Sequence, residues 1–354
     1  MAKDSKIGLG TYPYMNARVR VMKGEMIGKD EYSRLIKMSP AEITKFMGET
    51  AYKKEIDELA MKFHGVDLIE VALYLNAARS FNKLIRISSG RAEILIQAYL
   101  VRYDVYNLKT ILRGKIAGRD EKEIKMLLIP AGRLDMGALD MLLKKKTCSE
   151  VMVASKVVKM DKDVSAAVDE CEETKCLCSI ENLLDKNYYN MLMELSLTMP
   201  KQGRYVRQFI KTEIDFLNLK VLFRLVREKL PKNDIVDKLV FSGEKLSRKK
   251  LLMLADSKDC EELYSGLSGT GYDAVLEKGM DELRDKNELG TCEIALEKHW
   301  LRQVELMLHQ HPLSVGPILG YMVGKDIEIR NLRMLVRAKV TGLDEKFMSE
   351  SIVV

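Results

Sequence analysis

Between Arg91 and Ile116 the apolar residues Val105, Leu108, Ile111, Leu112 and Ile116 recur mostly at steps of three and four. At 100° per residue they share one face of a helix, while Lys109 and Arg113 point away from it. The Ser88-Ser89-Gly90 cluster is placed to start this helix and Ala117-Gly118 to stop it. Further along, Phe216, Leu219, Leu222, Phe223 and Val226 make the same stripe. There Leu217, Val221 and Leu225 add apolar surface behind it, which predicts deeper burial of a helix with neighbours on two sides.

The polar positions flanking these stripes are themselves repeated. Asp104-x-x-Asn107-Leu108-Lys109 returns as Asp215-x-x-Asn218-Leu219-Lys220 and as Glu328-x-x-Asn331-Leu332-Arg333. The asparagines lie 111 and 113 residues apart, and each is followed six positions later by an arginine: Arg113, Arg224 and Arg337. A glycine precedes each asparagine by 17, 15 and 15 residues: Gly90, Gly203 and Gly316. A second signature recurs more loosely. Lys23-Gly24-Glu25 with Ile27, Leu35 and Tyr52 matches Ser242-Gly243-Glu244 with Leu246, Leu254 and Tyr272, and Ala131-Gly132-Arg133 with Leu134, Leu139 and Leu142 is a third version.

A period this constant across 354 residues predicts three similar bodies of about 118 residues, each long enough for its own core. The expected units are 1–118, 119–232 and 233–354, each opening at the Lys-Gly-Glu type turn and closing with the Asn-Leu-Lys helix. Seven prolines against 21 methionines, with abundant Leu, Lys and Glu, favour helix throughout, so the predicted class is all-α.

The acid and asparagine of each copy sit three apart and lie together beside the apolar stripe. Two roles are open to them. They can hydrogen-bond a neighbouring helix or orphan helix-end amides within each unit. Alternatively, the Asn/Lys/Arg edges of three related helices can converge on a common partner, with Arg113, Arg224 and Arg337 as the partner-binding residues.

Charge narrows the function classes. The net charge is +6, yet 58 Lys/Arg and 52 Asp/Glu are interspersed rather than blocked, which disfavours a nucleic-acid reader. The opening Met1–Lys6 leads into no apolar run of a secretory signal. The longest uncharged stretch, Leu306 to Gly324, carries two histidines, two prolines and three glycines besides its apolar residues, and reads as a helix end, a turn and a new helix rather than a membrane span. Six cysteines without a secretory signal suggest reduced thiols. Cys171, Cys176 and Cys178 form the only cluster, and their spacing lacks the paired CxxC of a zinc site. His299, His309 and His311 are expected at the surface or at helix ends.

Catalytic signatures are missing. Gly320 to Lys325 is one residue short of a phosphate loop, Gly266 to Gly271 is not a dinucleotide turn, and no GxSxG elbow occurs. A scaffold or coupling role without cofactor, metal or small-molecule substrate is the expectation.

Tyr12-x-Tyr14-x-Asn16-Ala17-Arg18-Val19-Arg20-x-Met22-Lys23-Gly24, the Glu49-Thr50-x-Tyr52 pair and the three Asp/Glu-x-x-Asn-Leu-Lys/Arg helices resemble the C subunit of archaeal A-type and related V-type ATP synthases, a family similar to the d subunit of the eukaryotic V-ATPase. The resemblance runs from about Tyr12 to Leu343. It implies three helical domains about a pseudo-threefold axis, forming a funnel that sits on the proteolipid (c/K) ring and receives the D and F subunits of the central stalk. It further implies a peripheral position on the cytoplasmic face of the cell membrane and a rotor role with no catalytic residues, ATP being made on the A and B subunits. The alternative is a helical-repeat scaffold or nucleic-acid-binding protein. The Cys171–Cys178 region has no counterpart in the other units and reads as a local insertion.

Overall fold

The computed structural model describes residues 12–199, 202–286, 288–310 and 314–354; Met1–Lys6 and His311 lie outside them. Every regular element among the described residues is an α-helix. In chain order they are α1 (Pro13–Gly24), α2 (Lys29–Leu35), α3 (Pro40–Met47), α4 (Lys53–Leu59), α5 (Gly65–Arg86), α6 (Gly90–Ile116), α7 (Glu121–Met126), α8 (Met136–Leu143), α9 (Cys148–Ser155), α10 (Lys162–Thr174), α11 (Cys178–Leu197), α12 (Gly203–Arg227), α13 (Lys232–Asp237), α14 (Arg248–Leu254), α15 (Cys260–Gly266), α16 (Tyr272–Lys286), α17 (Gly290–Gln310), α18 (Gly316–Val340) and α19 (Glu345–Ser351). None is long and apolar enough to cross a membrane. The stretch expected to be a helix end, a turn and a new helix contains the end of α17 and the start of α18.

Long helices alternate with sets of short ones, and the short ones need help to start. Ser39 accepts from the Glu42 amide while Glu42 reaches back to the Ser39 amide at 2.7 Å, with Pro40 in the first turn. Asp135, Asp161, Ser247 and Asp259 cap α8, α10, α14 and α15 in the same way, each satisfying an amide that the helix leaves unpaired. Stops are equally local: Lys156 and Lys175 end α9 and α10 in the left-handed conformation.

The chain forms two compact units. One comprises Tyr12–Leu195 with Gly324–Ser349; the other is built on Ser196–Val323 with Glu350–Val354. In the second, Leu219, Leu222, Phe223 and Val226 of α12 are buried against Leu251 and Leu254 of α14, Leu263 of α15, Leu276 and Met280 of α16, and Leu296 of α17. Behind this stripe Leu225 is buried and Leu217 and Val221 are half-buried, as the apolar second face of α12 predicts. An aromatic group of Phe209, Phe216, Tyr272 and Trp300 completes the core. His299, half-buried, packs against it, 5.8 Å from the Phe216 ring and 6.2 Å from Tyr272, within α17 and not at a helix end. Burial, reinforced by Lys245 and Arg302, lowers its pKa. His309 is exposed in the last turn of α17.

Leu219 is fully buried at the centre of this core. Leu219→Ala is expected to lower the unfolding free energy by about 2–5 kcal/mol in a denaturant titration, since the rigid surroundings leave a cavity.

Candidate functional site

The repeated polar residues lie on α6, α12 and α18, on helices that are otherwise apolar where they face the core. Asp104, Asn107, Asp215, Asn218, Glu328 and Asn331 are all buried. A buried polar group without a partner costs free energy, so the contacts of these six decide what can pack beside them.

On α6, Asn107 forms a two-way bond with the backbone of Ile129: its amide donates to the carbonyl at 2.7 Å and its oxygen accepts from the N–H at 2.8 Å. One turn back, Asp104 accepts from the amides of Arg133 and Leu134, both at 2.9 Å. On α12, Asn218 does the same with Val240 at 2.8 and 2.9 Å. Asp215 accepts from Glu244, Lys245 and Leu246 at 3.2, 2.7 and 3.3 Å, and from the Tyr272 hydroxyl at 3.1 Å. Each helix therefore grips the turn that follows it in the chain. The glycine of that turn is what lets the carboxylate in: a Cβ on Gly132 would lie 2.2 Å from Asp104 Oδ1, and one on Gly243 would lie 1.9 Å from Asp215 Oδ1.

The acid of α18 grips the segment around α1 to α4 in place of a turn that follows its own helix. Glu328 accepts from the Ile27 amide at 2.7 Å and from the hydroxyl of Tyr52, and pairs with Lys325 at 2.6 Å. Asn331 is buried beside Tyr32.

The cations lie at the rim of each clamp. Lys109 pairs with Asp185 at 2.6 Å, and Arg113 makes two parallel bonds to Glu181 at 2.5 and 2.6 Å. On α12 the pairs are Lys220 with Glu297 and Arg224 with Glu293, the latter at 2.8 Å. Arg333 and Arg337 share Glu70, at 3.2 and 2.5 Å, and Arg333 also lies over the Tyr74 ring at 5.8 Å. Glu181 raises the pKa of Arg113, and Glu70 that of Arg337. The three arginines nevertheless remain open to solvent, at 62%, 58% and 52% exposure.

The facing acids escaped the sequence reading, although they too repeat: Glu181 and Asp185, Glu293 and Glu297, and Glu70 and Tyr74 are each four apart on α11, α17 and α5. A search for acid pairs about 70 residues after Arg113 and Arg224 would have found the first two. The third was hidden because its pair precedes α18 in the chain. The cysteine cluster does not converge: Cys171 is buried with its sulfur 3.9 Å from that of Cys148, while Cys176 and Cys178 are exposed. Burial pushes the Cys171 thiol up to about 12.

These clamps are built to hold helices in register, and similarity to known proteins places them in a family. Residues 15–351 match the family model of the ATP synthase (C/AC39) subunit. Over 348 residues the chain is 36% identical to the C subunit of the A-type ATP synthase of Methanococcoides burtonii, covering 97% of this chain and 94% of the relative. The corresponding C subunits of Haloferax volcanii and Archaeoglobus fulgidus are each 33% identical, over 96% and 97% of this chain and 97% and 96% of their own lengths. The chain belongs to the ATP synthase C/AC39 subunit family.

Asn218→Ala strips both the donor and the acceptor from the Val240 backbone and is expected to cost about 2–4 kcal/mol of unfolding free energy, whereas Arg224→Ala, removing an exposed ion pair, should cost under about 1 kcal/mol. Paired denaturant titrations separate the two.

Asp215 adds a pH signature. Burial pushes its pKa up from 3.8, against the lowering effect of its amide donors and Tyr272. The folded state therefore binds this proton more tightly than the unfolded one. The resulting stabilisation is complete below 3.8 and is lost as pH rises through the elevated folded value. The stability advantage of the native protein over Asp215→Asn should narrow with rising pH across that window, read by urea titrations at stepped pH.

Proposed function

We propose that this chain is the non-catalytic central-stalk subunit of an A-type ATP synthase, acting as a rotor socket that couples the membrane proteolipid ring to the D and F subunits of the shaft. The observation that carries this reading is likeness along nearly the whole chain to proteins named as the C subunit of A-type ATP synthases. On this reading the chain is three similar helical domains, 1–118, 119–232 and 233–354, arranged with pseudo-threefold symmetry as a funnel. It sits on the cytoplasmic face of the membrane without crossing it.

The clamps suit the role physically. A coupling element passes torque only if its helices do not slip, and a buried asparagine bonded both ways to a backbone has one register in which it is satisfied. Close packing around it resists deformation. The exposed flanks of Arg113, Arg224 and Arg337 are the proposed contact points for neighbouring subunits, because Arg113 and Arg337 are each oriented by two bonds to their acid and Arg224 by one, while more than half of each side chain remains in solvent.

Pull-down from detergent-solubilised membranes with the full chain as bait is expected to recover the proteolipid ring protein together with the D and F subunits, and the isolated chain is expected to hydrolyse no ATP. Recovery of neither ring nor shaft, or turnover by the purified chain, would overturn the reading.

A further inference from the structure

We propose that Lys325 is the residue that assigns the N-terminal segment to α18, so that a chain of three near-copies closes in a single register. The three clamps share a plan, which creates a hazard: a helix of one copy can present nearly the right groups to the turn of another. Misassembly of this kind is a characteristic failure of repeated architectures. The third clamp is the most vulnerable, because its halves are far apart in the chain: Ile27 and Glu328 are separated by 301 residues, whereas Asn107 and Asn218 reach only 22 residues ahead.

What distinguishes the third clamp is where its cation sits. In the clamp of α12, the cation over the tyrosine comes from the turn: Lys245 Nζ lies 5.1 Å from the Tyr272 ring centre. In the clamp of α6 the residue two after the glycine is Leu134, so the turn carries no cation at that position. In these two clamps the helix position three before the acid is neutral and buried, Val101 on α6 and Thr212 on α12. Against the clamp of α12, the third clamp reverses both positions. Met26 occupies the turn, and the helix position is Lys325, 3% exposed, with Nζ 4.3 Å from the Tyr52 ring centre and 2.9 Å from its hydroxyl. Lys325 also pairs with Glu328, one methylene longer than the aspartates it replaces. Gly24 differs correspondingly: a Cβ there meets nothing within 4 Å, since the longer acid approaches from elsewhere.

The reversal makes exchanged pairings unfavourable. If α18 gripped the turn of Lys245, Lys325 and Lys245 would meet over one tyrosine. If α12 gripped the N-terminal turn, the buried Tyr52 hydroxyl would lose the lysine that donates to it. A second cation brought beside the buried Lys325, or a buried hydroxyl left without its donor, is unfavourable. A buried ion pair adds little to stability against an apolar replacement, and fixing register is the use for which such pairs are best attested.

The test is refolding of the full chain from urea, reading monomer fraction by size exclusion and protection of the Ile27 amide by hydrogen exchange. Native chain is expected to return as one monomeric species with that amide protected. The triple variant Met26→Lys, Lys325→Thr, Glu328→Asp gives the third clamp the groups of the second while keeping its charge balance. It is expected to fold but to lose monomer yield several-fold to dimers and to species with an unprotected Ile27. Lys325→Met with Glu328→Gln, which deletes the ion pair at nearly constant volume, is expected to shift the products the same way. Asp215→Asn, which weakens a clamp without changing where its cation sits, should lower stability and leave one product. A native product distribution in whichever variant folds, or equal scrambling by Asp215→Asn, overturns the proposal.

Discussion

The structure depends on burying a carboxylate and an asparagine on the inner side of a helix. An apolar stripe tolerates many partners and sliding contacts, because dispersion and solvent exclusion have little direction. Asn107 and Asn218 remove that freedom, since each is satisfied only when one particular peptide unit, at Ile129 or Val240, lies opposite. The aspartate one turn away collects the amides of the following turn and fixes where the next short helices begin. Hydrophobic burial supplies the driving force, and these polar groups select the arrangement in which it is realised.

A second set of charges works at lower cost around the edge. Lys109, Arg113, Lys220 and Arg224 meet acids that water still reaches, so these pairs are weak individually, whereas Arg333 and Arg337 meet the buried Glu70. Their value is orientation. An arginine held by two parallel bonds presents its remaining donors in a fixed direction, which is what the proposed contacts with a ring or a shaft require. The polar chemistry thus divides by depth: carboxylates and asparagines bonded to backbone in the buried layer, ion pairs at the rim.

The third clamp differs from the clamp of α12 in how its charges are placed. Its cation, Lys325, lies on the helix, its acid is the longer Glu328, and one glutamate, Glu70, meets both Arg333 and Arg337 with Tyr74 beside it.

Much of this was legible in the sequence. The 3.6-residue stripes and the scarcity of proline determined the helical class, because those patterns act locally, and the thrice-written acid and asparagine marked the helices that matter. The family resemblance was also carried by contiguous motifs. Tertiary structure alone decided the pairings. Glu181, Glu293 and Glu70 are inconspicuous acids until folding brings them to Arg113, Arg224 and Arg337, and nothing local to Lys325 announces that Tyr52 and Glu328 enclose it. The aromatic neighbours of His299, Phe216 and Tyr272, are likewise remote in sequence. Periodicity reports which face of a helix is buried; which residue lies opposite is set by loop closure and packing over tens to hundreds of residues, and no local pattern encodes that distance.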